Sequence, residues 1–228
     1  MDSEPVVLIV EDDKQAGRLL GDIFAEQGWR VVAARTGPDG IRMAHAEHPD
    51  LVLLDLMLPF KSGDEVLAAI RAESQVPVIV VSARETTRTK IDLLHMGADD
   101  YVTKPFDVDE VVARAEAALR RAGSAGTVGV VHEAAGLLLD ETERRATAGG
   151  HELALTSTEF GLLTALIRAP RLVLSKPQLY AEVWGAEAGY DERTVNTHMS
   201  NLRRKIREAS GDDPIRTVWG IGYTLRPA

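Results

Sequence analysis

The acidic triplet Glu11-Asp12-Asp13 directly follows the apolar run 6–10, and Asp55 directly follows the apolar run 51–54. If these runs are neighbouring parallel strands, several carboxylates converge beyond their carboxyl ends, where open α/β sheets bind ligands. Crowded carboxylates repel one another unless a cation sits among them or one is protonated. A donor set made only of oxygen favours a hard ion such as Mg2+, which keeps some waters and accepts phosphate oxygens. Ser82, after the run 78–81, would add a hydroxyl at the same edge, and Lys104 of Lys104-Pro105 would add an ammonium. Each residue has a plainer reading on its own: an acidic helix start for the triplet, a helix cap for Ser82, a surface lysine for Lys104. Their succession at consecutive strand ends favours one shared site.

A second stretch, 193–206, carries different chemistry. Val195, Met199, Leu202 and Ile206, spaced 4, 3 and 4, fall on one helical face. The other side presents Arg193, Thr197, Ser200, Asn201 and Arg204. Short polar groups can approach base edges in a major groove while long cations reach phosphates. Residues 193–207 include Arg193, Arg203, Arg204, Lys205 and Arg207 and no acid, although the whole chain has a net charge of -9. The balance is -8 over residues 1–121 and -1 over 122–228. The later half therefore tolerates an anionic partner as the whole-chain figure does not suggest. On charge alone, a solvated helix face remains an equal reading.

The elements that must position these groups differ between the halves. Runs 6–10, 31–34, 51–54 and 78–81, with a shorter one at 101–102, are mostly apolar without alternation, as in parallel strands covered on both faces. Helical spacing fills 14–27, 39–47, 64–73, 86–96 and 107–121. Five β-α units predict an α/β domain, a doubly wound five-stranded parallel sheet, over residues 1–121. Residues 122–131, rich in Gly, Ala and Ser, predict a flexible linker. Residues 132–228 predict a small α+β domain: strands at 137–140, 144–148 and 152–155, helices at 159–168, 176–183 and 193–208, and a closing hairpin of 215–218 with 223–225 around Gly220 and Gly222.

A length of 228 residues suits two small domains, and 45% hydrophobic with 27% charged residues excludes a long disordered chain. The absence of cysteine excludes disulfides, thiolate metal sites and cysteine nucleophiles. The run 6–10 is too short for a signal peptide or a membrane span, so a soluble, cytoplasmic protein is expected.

The first half resembles a response-regulator receiver domain, and the whole chain is similar to response regulators of the winged-helix (OmpR/PhoB-type) transcription-factor family. The matching pieces are Leu8-Ile9-Val10-Glu11-Asp12-Asp13, residues 53–59 around Asp55, residues 77–83 ending in Ser82-Ala83, and residues 97–106, which contain Lys104-Pro105-Phe106. In the second half they are 153–163, Val183-Trp184-Gly185 and 218–223. The resemblance implies a flavodoxin-like receiver joined to a winged helix-turn-helix. Asp55 would accept a phosphoryl group from a phosphohistidine of a partner sensor histidine kinase. Asp12, Asp55 and the Met57 carbonyl would bind Mg2+, with Glu11 assisting through water. Lys104 and Ser82 would engage the phosphoryl group, and Tyr101 would be the switch aromatic.

By the same resemblance, Thr197 and Asn201 would read bases in double-stranded promoter DNA, helped by Asn196 and Ser200. Trp184, Arg193, His198, Arg203, Thr217 and Tyr223 would hold phosphates. Core packing is an equal reading for Trp184 and Tyr223. Lys90, Asp99, Asp100, Glu110 and Arg114 would make salt bridges across a two-fold dimer face whose apolar patch is Ile91, Leu94 and Ala113. The loop 185–192 is where RNA polymerase contact is expected. Four positions depart from the pattern: Leu93 replaces a small residue, His95 an acid, Asn201 an Arg, and Trp219 a wing Arg for which Arg216 could substitute.

Two rival functions are weighed. An Mg2+-dependent aspartyl-phosphate enzyme is disfavoured because no lid-like insertion is present and Met57, not an acid, stands two residues after Asp55. A constitutive DNA binder with an inert receiver is disfavoured by the complete pocket.

Overall fold

Continuous apolar runs become strands with no solvent face, and the first half shows this directly. Its elements are β1 (Val6–Val10), α1 (Lys14–Glu26), β2 (Arg30–Ala34), α2 (Gly37–Glu47), β3 (Leu51–Leu54), α3 (Gly63–Glu73), β4 (Val78–Ser82), α4 (Thr87–His95), β5 (Asp100–Thr103) and α5 (Val108–Gly123). The strands form one parallel sheet in the order β2-β1-β3-β4-β5. Alternate residues of one strand serve opposite faces: Leu8 and Val10 join Val66, Leu67 and Ile70 of α3, whereas Val7 and Ile9 join Leu20 and Phe24 of α1 and Ala115 of α5. The chain direction across the sheet reverses between β1 and β3, which opens a crevice at their carboxyl ends.

The structure is a computed structural model that describes residues 4–83, 87–123, 130–185 and 190–226. It divides into two compact units, Met1–Ala122 and Gly123–Ala228. The second unit contains β6 (Val131–Ala134), β7 (Leu137–Asp140), β8 (Arg145–Ala148), β9 (His151–Glu152), α6 (Ser157–Arg168), β10 (Leu174–Ser175), α7 (Lys176–Trp184), α8 (Glu192–Ser210), β11 (Ile215–Val218) and β12 (Gly222–Leu225). An antiparallel sheet β6-β7-β8-β9 and a three-stranded sheet β10-β12-β11 flank the three helices. One apolar cluster joins Leu137 and Leu139 of β7 to Leu162 and Leu166 of α6, Leu179 of α7, Val195, Met199, Leu202 and Ile206 of α8, and Leu225.

Several boundaries differ from the sequence expectation. The linker is shorter than 122–131, because Ala122 and Gly123 complete α5 and Val131 starts β6; residues 124–129 lie outside the described residues. The strand expected at 152–155 stops at Glu152. Leu153 and Leu155 turn their side chains into the core there, and Thr156 caps α6 with a reciprocal capping box to Glu159, which moves the helix start back to Ser157. The short pieces β6 and β10 carry too few residues to show a period, and pairing with β7 and β12 alone makes them strands.

Candidate functional site

Asp13 N-caps α1 by accepting from the Gln15 and Ala16 amides at 2.8 and 2.9 Å, so part of the acidic triplet does take the structural role. The other two acids do not. Glu11 is buried, and oxygen atoms of Glu11, Asp12 and Asp55 lie within 4.8 Å of one another. The Lys104 ammonium donates to Asp55 Oδ2 at 2.6 Å and to Glu11 Oε2 at 2.5 Å. The Ser82 hydroxyl donates to Asp55 Oδ1 at 2.9 Å, and the Leu56 and Met57 amides donate to the same oxygen at 2.5 and 3.2 Å. β1, β3, β4 and β5 thus each deliver a group to the crevice at the reversal point.

Electrostatics divide the two buried acids. Burial opposes ionisation of Asp55, but the Lys104 ammonium, with the Met57 amide and the Ser82 hydroxyl, outweighs it and holds the carboxyl below its ordinary value. Burial likewise opposes ionisation of Glu11, and the neighbouring Asp55 charge adds to it. Lys104 only partly offsets this, and the Glu11 carboxyl is pushed up. Lys104 loses stability as a cation through burial but gains more from both carboxylates, so its pKa rises. An ionised Asp55 facing an ammonium can act as a nucleophile toward an electrophilic phosphorus. The oxygen-only donor set suits a hard divalent cation, which would be held by Asp12 and Asp55.

Gly63 brings the loop after β3 against the site. A Cβ there would lie 2.2 Å from the Asp55 carbonyl oxygen, so only glycine allows this approach, and its amide donates to the Leu56 carbonyl at 2.9 Å. The sequence reading did not single out Gly63, and only its place directly before the helical run 64–73 hinted at it. Tyr101 is buried against Leu93, Leu94 and Ala98.

The residues expected at a dimer face are largely committed within the chain. Asp99 pairs with Arg71 at 2.8 Å and accepts from the Val78 amide, tying the start of β5 to α3. Arg114 is buried and bridges Asp100 at 2.5 Å and Glu110 at 2.8 Å. Leu94 is also buried, whereas Lys90, Ile91 and Ala113 are half-buried. The Asp100–Arg114 and Asp99–Arg71 pairs thus give each of these charges a short partner within the chain.

On α8 the apolar face lies where the spacing placed it, but the outer face is rotated. Thr197 is 5% exposed and donates to the Arg193 carbonyl; Asn201 is 3% and His198 0% exposed. Trp184 is buried, stacked on Tyr180 with ring centroids 4.9 Å apart and 5.6 Å from the His198 ring. These four residues are interior, which corrects their expected exposure to DNA. The exposed or half-exposed stripe is Arg193, Asn196, Ser200, Arg203, Arg204 and Arg207. Its steps of three and four were legible in the sequence, yet Arg207 was left out of the expected set. Asn196, Ser200, Arg203 and Arg207 line a cavity of about 220 Å³ with Met199 and Tyr223. The Tyr223 hydroxyl donates to Asn196 Oδ1 at 3.0 Å, and Arg203 donates to Thr217 Oγ1 at 3.1 Å and to Asp213 at 2.8 Å. Within the loop expected to meet polymerase, residues 186–189 lie outside the described residues.

A doubly wound unit with an acid-lined crevice beside a lysine, followed by a unit that displays a basic helix, defines a phosphoacceptor module joined to a nucleic-acid-binding one. Residues 7–116 match the model of the response regulator receiver domain, and residues 150–225 match that of the transcriptional regulatory protein C terminus. The chain is 38% identical over 234 residues to the probable transcriptional regulatory protein TcrX of Mycobacterium tuberculosis, covering 100% of this chain and 98% of that protein. It is 34% identical over 220 residues to the response regulator ArlR of Staphylococcus aureus, covering 96% and 99%. The solved structure of DrrB, a Thermotoga maritima OmpR/PhoB homologue, is similar at 29% identity with a TM-score of 0.51, covering 98% and 100%. The chain belongs to the two-component response regulators of the winged-helix (OmpR/PhoB-type) transcription-factor family: it is a phosphorylation-dependent transcription regulator, not an enzyme. A histidine kinase and DNA are the partners this implies. Among the described residues no helix is long and apolar enough to cross a membrane.

Proposed function

We propose that Asp55 is the phosphoacceptor and that its modification controls binding of this protein to tandem half-sites in promoter DNA as a homodimer in the cytoplasm. The observation that carries the reading is the convergence on Asp55 of an ammonium, a hydroxyl and two backbone amides, with Asp12 and Glu11 within reach of a shared cation. The Asp55 carboxylate attacks the phosphorus of a kinase phosphohistidine; a P–O bond forms, the P–N bond breaks and the imidazole leaves. Mg2+, held by Asp12, Asp55 and the Met57 carbonyl with Glu11 behind them, would offset charge on the transferring oxygens. Lys104 is placed to pair with the new phosphoryl group. Ser82, which now donates to Asp55, is placed to turn its hydroxyl to that group. Tyr101, packed beside α4, is the aromatic that follows this movement. Dimer contact on the α4-β5-α5 side would use Lys90, Ile91 and Ala113, with the intrachain Glu110–Arg114–Asp100 network as its fixed frame.

On DNA, Asn196 and Ser200 are the base-reading groups that the surface of α8 supports, with Arg193, Arg204 and Arg207 reaching phosphates. Arg203, Thr217 and Tyr223 join the same surface through their mutual bonds. RNA polymerase is a further partner, through the segment after α7. Beryllofluoride with Mg2+, a phosphoryl mimic, should tighten binding of the full chain to a duplex selected from random sequence by roughly tenfold or more. Two charge-assisted bonds supply about 3 kcal/mol or more toward such a shift. Equal affinity with and without the mimic, read by anisotropy of labelled duplex, removes the control step.

A further inference from the structure

α2 and α3 pack on the same face of the first sheet, and both end at a cavity of about 320 Å³. It lies beside the start of β3, at the sheet edge opposite the one that holds Asp55. Its floor is apolar, with Pro49 and Ile70 buried, and the exposed side chains of His45, His48 and Glu73 stand around its mouth. His45 Nδ1 faces Glu73 Oε2 at 3.2 Å across the gap between the helices. His48 ends α2 with a φ of 44°, and this left-handed turn leaves its ring 6.4 Å from that of His45, centroid to centroid. Among the described residues that line the cavity there is no Lys or Arg, so no ammonium or guanidinium competes for Glu73 there. Both helices also bring their carboxyl ends to this cavity, where the aligned peptide dipoles leave partial negative charge that favours a cation.

We infer that His45, His48 and Glu73 form a binding site for a borderline divalent cation, Zn2+ first among them, separate from the acidic crevice around Asp55. Two imidazoles and one carboxylate suit Zn2+, whereas an oxygen-only set suits Mg2+, so the two sites differ in the ion they prefer. Two ligand atoms at about 2.0–2.1 Å from one tetrahedral Zn2+ lie about 3.3 Å from each other. The 3.2 Å between His45 Nδ1 and Glu73 Oε2 already matches that edge, so an ion can seat against both atoms without moving them apart. Imidazoles that share such an ion have centroids about 5 Å apart, so a shift of roughly 1 Å brings His48 in. Its exposed side chain makes that shift by rotation alone. Water fills the fourth position at the open mouth, while the apolar floor keeps solvent from the inner side of the ion. The bound ion ties the end of α2 to the end of α3 and so stabilises the first unit, without contact with the phosphoacceptor.

The test titrates Zn2+ into the full chain, free of any added polyhistidine, in excess Mg2+ so that the harder ion occupies the acidic crevice. Calorimetry should give one Zn2+ per chain. His45→Gln, His48→Gln and Glu73→Gln should each weaken binding by roughly tenfold or more, since losing a direct ligand costs at least as much as losing an outer-shell partner. All three positions are exposed, so the variants keep the fold, which a thermal melt without Zn2+ verifies. Asp12→Asn, in the crevice, should leave the Zn2+ isotherm unchanged. The chain has six histidines, and the imidazole resonances of His45 and His48 should shift together on addition of Zn2+ while those of His95 and His151 stay in place. The urea midpoint of the first unit, followed by Trp29, should rise with Zn2+ in the parent and not in His48→Gln. Absence of Zn2+ binding overturns the site, as does binding that all three ligand variants retain. Binding lost in Asp12→Asn assigns the ion to the crevice and overturns it too. One ion for every two chains places the ion between copies and likewise overturns a site within one chain.

Discussion

At Asp55 four donors and a neighbouring pair of acids meet, and their signs decide what the residue can do. Lys104 keeps Asp55 ionised despite burial while Glu11 is pushed toward its neutral form, so the nucleophile is the acid with the most donors around it. Asp55→Asn removes the nucleophilic oxygen and keeps the shape; labelling by a small phosphoryl donor such as phosphoramidate in Mg2+ should fall to background, measured by mass or by phosphate-affinity gel. Another buried acid, Glu141, accepts from Arg168 Nε at 2.8 Å and pairs with His132 Nε2 at 2.5 Å, and so joins β6 to the end of α6. Burial raises its pKa, but Arg168 and His132 outweigh that and hold it below its ordinary 4.5. A carboxyl with a depressed folded value contributes stability above its unfolded pKa and loses it as pH falls through the folded one. The second unit, followed by the buried Trp184, should therefore lose stability progressively below about pH 4.5. Glu141→Gln should remove much of that acid dependence, as read from urea midpoints at several pH values.

At the scale of elements, close backbone approach does what side-chain chemistry cannot. α3 starts at Gly63 directly against the Asp55 carbonyl, and the capping box of Ser62 with Glu65 fixes that start, with the Ser62 amide donating to Glu65 at 3.0 Å. Gly63→Ala would force the β3–α3 loop away from the crevice, at a cost of roughly 1–3 kcal/mol from overpacking. The urea midpoint of the first unit, followed by Trp29 packed on Phe24, should drop, and phosphoryl uptake should slow even where the protein is folded. An unchanged rate would mean that the loop position does not matter to the acceptor. In α8 the same scale explains the rotated outer face. The apolar positions 195, 199, 202 and 206 fix which side is inward, but the buried arc is wide enough to take Thr194, Thr197, His198 and Asn201 as well. That leaves a narrower exposed stripe, and the polar residues on its edge are lost to the interior.

For the whole molecule, modification at one unit must be read out at the other, and association of copies is the simplest carrier. With beryllofluoride and Mg2+, sedimentation should show the full chain moving toward a dimer. Lys90→Glu, a charge reversal on the α4 side, should weaken that dimer with little effect on phosphoryl uptake. An unaltered sedimentation profile would place the control elsewhere than in dimer formation.

The parallel sheet, its strand-end acids, the lysine and the basic helix were legible in the sequence because each leaves a local signature: an unbroken apolar run, a charged residue at its end, or an apolar period near 3.6. β6 and β10, at four and two residues, leave none, since a strand so short exists only through its partner. The intrachain partners of Asp99, Asp100 and Arg114 were not legible, because sequence distance hides Arg71, 28 residues from Asp99, and hides the reach of Arg114 to Asp100. What the chain alone decided was which chemistry stands at which strand end and which stripe of α8 faces inward. Which of the remaining polar groups meet solvent, and which are used up by partners inside, was decided only by packing, because burial depends on neighbours that are remote along the chain.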